Sequence, residues 1–268
     1  MKLQHLKNLP PWEWPDTAGQ FLLDILKNPR TGETDLATAA GLAGDVTVIN
    51  DPLVHALLLL LRNEAKSADL RGLAALSFGA ILEDAGTMGV EDTEISEESF
   101  EEIKSTLRTL YLDAKTPRET RRRILEAAVR SQEDWQTDAI RAAYQSGDES
   151  WKLTAVFCMQ FVKGFDEQIL EALNSKNRDI HYEAVLAAGA WELDRAWAHI
   201  SALVTPKTEK TLLLAAIEAV SQIRPKPSLA LLAPLSASRD EDIRGAVEEA
   251  TMMVEAADGG FESDNDDE

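Results

Sequence analysis

A helical signature returns along this chain once every ~30 residues, the length of a repeat unit. Arg122, Lys152, His181, Leu212 and Arg244 mark the successive returns, and three places after each come Leu125, Ala155, Ala184, Ala215 and Val247. Upstream, Leu70, Ala74 and Gly79 repeat the offsets of Ile180, Ala184 and Gly189. A period of this length is one supersecondary unit, too small to bury its own apolar face, so neighbouring units must stack to make a core.

Each unit divides into two short helices: 166–175 then 179–193, 196–204 then 209–223, and 227–235 then 240–254. Small residues such as Ala184, Ala187 and Ala188 allow close helix approach, while Ile169, Leu170 and Leu173 fill the layer between. Other segments read the same way. Phe100, Ile103, Leu107 and Leu110 share one helical face. Asp51 and Pro52 open a helix that runs to about Arg62, and Thr116 with Glu119 offers a capping box around Pro117. Strand signals are confined to a short stretch at 46–49. The chain is expected to be all-α. The interval from Arg71 to Arg122 is much longer than one period, and an acidic loop inserted at 83–98 accounts for the excess.

The segments 180–189 (IHYEAVLAAG) and 70–79 (LRGLAALSFG) resemble the second helix of HEAT repeats. The short period is most similar to the bacterial HEAT-like repeats first noted in phycobilin lyases. The resemblance covers about 20–255. It implies a right-handed α-solenoid of about seven helix pairs, with the second helices lining the concave side. It also implies a binding scaffold, the commonest use of such repeats. Three regions follow: an aromatic, proline-stiffened arm at 1–16 carrying Trp12 and Trp14, the solenoid at 17–254, and an acidic tail at 255–268. The arm either docks a partner or caps the first repeat.

Charge narrows the choice of partners. The net charge is −20, yet 83–102 holds nine acids and no base, and 255–268 holds seven acids and no base. Against them, 115–130 carries six bases and two acids. Phosphate binding needs a sustained positive field, and one basic helix between two acidic segments argues against nucleic acid. The single cysteine, Cys158, lies in an apolar helix and reads as a buried thiol in a reducing, cytoplasmic setting. No apolar run is long enough to cross a bilayer.

Motifs for catalysis are missing. GxGxxG, GxxxxGK[ST] and GxSxG do not occur, and none of His5, His55, His181 and His199 sits in a zinc-binding spacing. Iron-dependent hydroxylases built on HEAT-like repeats use paired His-Glu motifs, and this chain has no His-Glu dipeptide. No metal or cofactor is expected. The leading expectation is a non-enzymatic, monomeric scaffold that binds another protein on its concave face. Its contact residues would be Arg118, Arg121, Arg122, Trp151, Lys152, His181, Tyr182 and Glu183. Charge reversal at Arg121 and Arg122 should then abolish partner capture. The competing expectation is a HEAT-like enzyme or binder acting on nucleic acid or a tetrapyrrole.

Overall fold

The computed structural model describes residues 2–259, and all regular structure in them is helical. The chain divides into two compact units, 1–139 and 140–268. The first holds α1 (Leu3–Lys7), α2 (Ala18–Lys27), α3 (Glu33–Ala43), α4 (Asp51–Arg62), α5 (Ala68–Leu76), α6 (Gly79–Met88), α7 (Glu97–Leu112) and α8 (Arg118–Ala128). Helix α9 (Trp135–Tyr144) leads into the second unit. There follow α10 (Glu149–Cys158), α11 (Asp166–Ala172), α12 (Arg178–Ala190), α13 (Trp197–Ser201), α14 (Lys210–Ile223), α15 (Pro225–Leu232) and α16 (Glu241–Gly259).

Among the described residues these helices make seven pairs, with α1 in front and α6 inserted. The second helices pack on one another: α3 on α5 and α5 on α8 in the first unit, α10 on α12, α12 on α14 and α14 on α16 in the second. The repeat frame explains why. Leu125, Ala155, Ala184, Ala215 and Val247 are all buried at these contacts. Gly189 lets α12 and α14 approach closely, since a Cβ there would stand 2.9 Å from Ala219 Cα. Helix α4 shows how local chemistry sets an end. The Asn50 side chain accepts the Leu53 N–H at 3.1 Å, and Pro52 occupies the first turn, where its missing N–H costs nothing. Its leucines at 53, 57, 58 and 61 are fully buried, each contributing about 1.5–3 kcal/mol.

Several expectations need correction. The insertion at 83–98 is not a plain loop. Helix α6 continues to Met88, Val90–Asp92 forms a 3-10 turn, and α7 starts at Glu97. Ile95 is buried, and Ser96 donates through N–H and Oγ to Asp51 Oδ1, at 2.8 and 3.1 Å, which ties the segment to α4. Glu97 and Glu98 fall in the first turn of α7, where the helix dipole favours acids. The capping box at Thr116 does not form. The Thr116 N–H donates to the Asp113 carbonyl, and Glu119 turns to Arg122 and Arg123 instead.

Residues 2–16 are partly folded onto their unit. Leu6 is buried, and the Trp14 indole N–H donates to the carbonyls of Leu6 and Leu9. Trp12, by contrast, is 80% exposed. Of the acidic tail expected at 255–268, residues up to 259 belong to α16 and the rest lies outside the described residues. Cys158 is fully buried, as expected of a structural thiol. No helix among the described residues is long and apolar enough to cross a membrane.

Candidate ligand-binding groove

In the second unit, α12, α14 and α16 turn one face each toward a cavity of about 700 Å³. Helical spacing puts the lining there: Tyr182 and Leu186 on α12, Thr211, Leu214, Glu218 and Gln222 on α14, and Asp242, Ala246, Glu249 and Met253 on α16. Leu186, Leu214, Ala215, Ile217 and Ala250 make an apolar floor, and Gly245 and Ala246 leave room above it. Glu218, Glu241, Asp242 and Glu249 form an exposed acidic rim.

Lys210 is the basic residue among those lining the cavity, and its charge is already matched. Its Nζ lies 2.7 Å from Asp240 Oδ2 and 2.6 Å from Asp242 Oδ2. The Lys210 hydrogen bond holds the Asp240 carboxyl below its usual range, so that charge pair persists into acid. The groove therefore presents net negative potential over apolar surface. Tyr182 reports the same field. Burial first, then the Glu183 and Glu218 carboxylates, push its phenol up and keep it protonated. Glu209 caps α14 by accepting from the N–H groups of Thr211 and Leu212, at 3.1 and 3.2 Å, which fixes the end of the helix that carries Lys210.

The residues singled out in the sequence fall in different surroundings. Tyr182 alone of them lines the cavity. Glu183, its neighbour, accepts from Gln160 Nε2 at 2.6 Å. Lys152 pairs with Glu171 at 3.2 Å and covers the Tyr144 ring. His181 meets His199 with its Nε2. Trp151 is half-buried at the start of α10, behind the Asp148 cap.

Arg118, Arg121 and Arg122 belong to α8, in the first unit. Arg118 is exposed, whereas the Arg121 Nε is buried without a hydrogen-bond partner. Arg122 is only 8% exposed. Its guanidinium bonds Glu119 on one side and Glu126 on the other, at 2.6 and 2.9 Å, which removes it from any partner's reach. Sequence reasoning passes over Lys210, Glu218, Asp242 and Glu249. In so acidic a chain a carboxylate pattern alone carries little information. The usable signal is Gly245-Ala246 opposite Leu214, small residues where a floor must stay open.

Among the described residues no group of three or more His, Cys, Asp or Glu side chains is placed to hold a metal ion. No family model matches the chain, and no curated protein matches it. Among solved structures it is similar to human deoxyhypusine hydroxylase in complex with glycerol, at 14% identity and a TM-score of 0.42. The match covers 95% of this chain and 88% of that one. That protein is an enzyme. This likeness to an enzyme runs against the expectations of a non-enzymatic scaffold and of a chain without catalysis, and at this similarity it bears on the helical fold alone.

Proposed function

We propose that the groove between α12, α14 and α16 is a substrate-binding site for a cationic molecule with an apolar body, and that the chain acts on or carries that ligand. The observation behind this reading is the lining: an apolar floor rimmed by Glu218 and Glu249, with Asp242 already matched by Lys210 and Glu241 3.7 Å from Arg244. A cavity of about 700 Å³ suits a small molecule or one extended side chain, falling inside the usual range of roughly 300–1,000 Å³ for ligand sites. Apolar contact would supply affinity, and the rim would select the sign of the charge.

The enzyme-or-binder alternative drawn from the sequence is kept, but its ligand changes sign. Nucleic acid and the carboxylates of a tetrapyrrole would both meet like charge here. The short repeat interval still favours repeats of the phycobilin-lyase kind, as an architecture without the lyase chemistry. A reducing cytoplasmic setting, suggested by the single buried Cys158, is part of the same proposal.

A calorimetric panel tests the reading. An alkylguanidinium, the alkyl alcohol of equal length, a lysine-rich peptide and duplex DNA are each titrated into the chain. Binding of the alkylguanidinium over the alcohol is expected, with no heat from DNA. Preference for the peptide over the free cation would place the charged group on a protein. Equal binding of alcohol and guanidinium, or binding of DNA, would overturn the proposal.

A further inference from the structure

His181 on α12 and His199 on α13 meet through their Nε2 atoms at 3.1 Å, with ring planes 87° apart. Two neutral imidazoles can share that contact only if one ring donates an Nε2–H to the lone pair of the other. We propose that this pair is a two-imidazole site for a divalent transition-metal ion, independent of the acidic groove.

The geometry is close to what such an ion requires. With metal–nitrogen bonds of about 2.05 Å, an Nε2···Nε2 separation of 3.1 Å corresponds to an N–M–N angle of about 98°. Opening the pair by about 0.2–0.3 Å brings it to the tetrahedral angle. The two rings are held from separate helices by their neighbours in sequence, since Ile180 is 1% exposed and Ile200 fully buried. The imidazoles themselves are half-buried, which leaves a path for the ion and for water. No carboxylate or thiol joins them as a third ligand among the described residues, so water completes the shell.

Ligand chemistry agrees. The 3.1 Å contact needs a lone pair on one Nε2, so that ring at least is neutral and able to coordinate. On binding, the ring that donated through Nε2–H changes tautomer and carries its proton on Nδ1. Each Nε2 then offers one lone pair, and no net proton is lost. Imidazole donors without a hard oxygen ligand suit zinc, copper or nickel rather than magnesium or calcium. The bound ion would fasten α12 to α13.

The experiment is a calorimetric titration of the whole chain with Zn²⁺, repeated on His181→Gln, His199→Gln and His55→Gln. One saturable site is expected in the parent and in His55→Gln, whose ring is exposed in the other unit. Removing a ligand should cost at least the tenfold that removing an outer-sphere partner costs, so His181→Gln and His199→Gln should each bind more than about tenfold more weakly. Undiminished binding in both variants would put the zinc elsewhere on this acidic chain and overturn the proposal. An absence of saturable heat in the parent would do the same. Should a variant lose its helical circular dichroism, the nitrogen resonances of the parent's rings decide. Two Nε2 signals that move together with added Zn²⁺ support the site, and unmoved signals refute it.

Discussion

Replacing Arg122 with methionine removes the charge but keeps an unbranched stem, so it isolates the electrostatic role of a buried guanidinium. In the parent, Arg122 bonds Glu119 at 2.6 Å and Glu126 at 2.9 Å, and both Arg122 and Glu126 are 8% exposed. Removing one partner of a buried pair usually costs about 3–5 kcal/mol, because the other charge is left behind without compensation. Here compensation is partial. Arg123 stays 2.8 Å from Glu126 and 3.2 Å from Glu119, so the expected loss is about 2–3 kcal/mol. The affected body is the first unit, 1–139. At about 3 °C per kcal/mol for a body of this size, the unfolding midpoint should fall by about 6–9 °C.

Thermal unfolding followed by far-ultraviolet circular dichroism measures it. A cycle with Glu126→Gln should return a coupling of at least about 1 kcal/mol. A variant within about 0.5 kcal/mol of the parent would show that the pair is solvated in solution, and the reasoning about α8 would fail. Charge reversal at Arg122, attractive from sequence as a test of partner binding, would instead set three carboxylates against one another and unfold the helix packing. It reads stability, not recognition.

Other consequences can be measured separately. Gly189→Ala places a Cβ 2.9 Å from Ala219 Cα and Cβ, so overpacking between α12 and α14 should cost about 1–3 kcal/mol in urea unfolding, and a neutral result would contradict that close approach. Trp14→Phe loses an indole donor shared by two carbonyls and should destabilise by about 1 kcal/mol, while Trp12→Ala, at an 80% exposed site, should change stability by less than about 0.5 kcal/mol. Acid should weaken the first unit. The Arg122 hydrogen bond holds Glu119 below the usual carboxylate range, and Ser99 and Ser96 do the same for Asp51. The unfolded chain therefore binds more protons, and this stabilisation, complete above about pH 5, is lost as pH falls through the folded-state values. Glu119→Gln should flatten the decline of the urea midpoint with falling pH, and an unchanged slope would assign the acid loss elsewhere.

The fold was legible wherever spacing alone decides burial. The third position after each of the five frame residues is buried, and α4 begins at Asp51 and ends at Arg62 as its cap and leucines imply. Legibility stopped where a neighbouring helix decides the outcome. Arg122 and Arg121 are adjacent in a basic run, but helical rotation carries one guanidinium to Glu119 and Glu126 and leaves the other's Nε buried without a partner. The 83–98 segment reads as a loop because its acids mask Ala85 and Ile95, which are buried. The groove was harder still. Glu218 and Glu249 lie a full repeat apart, and only the packing of α14 on α16 brings them to one rim. His181 and His199 share no recognised ligand spacing, and the turn of chain through Asp194–Ala196 is what lets their rings meet.

The central claim is that an acidic rim over an apolar floor selects a cation. The decisive measurement is the affinity of the alkylguanidinium for the parent and for Glu218→Gln/Glu249→Gln, at low and at physiological salt. Each exposed contact is worth about 0.5–1 kcal/mol, so the double variant should bind about 5- to 30-fold more weakly. It should also lose much of the parent's salt dependence while binding the neutral alcohol as before. Equal affinity in parent and double variant, with salt dependence intact, would show that the groove's charge does not choose the ligand.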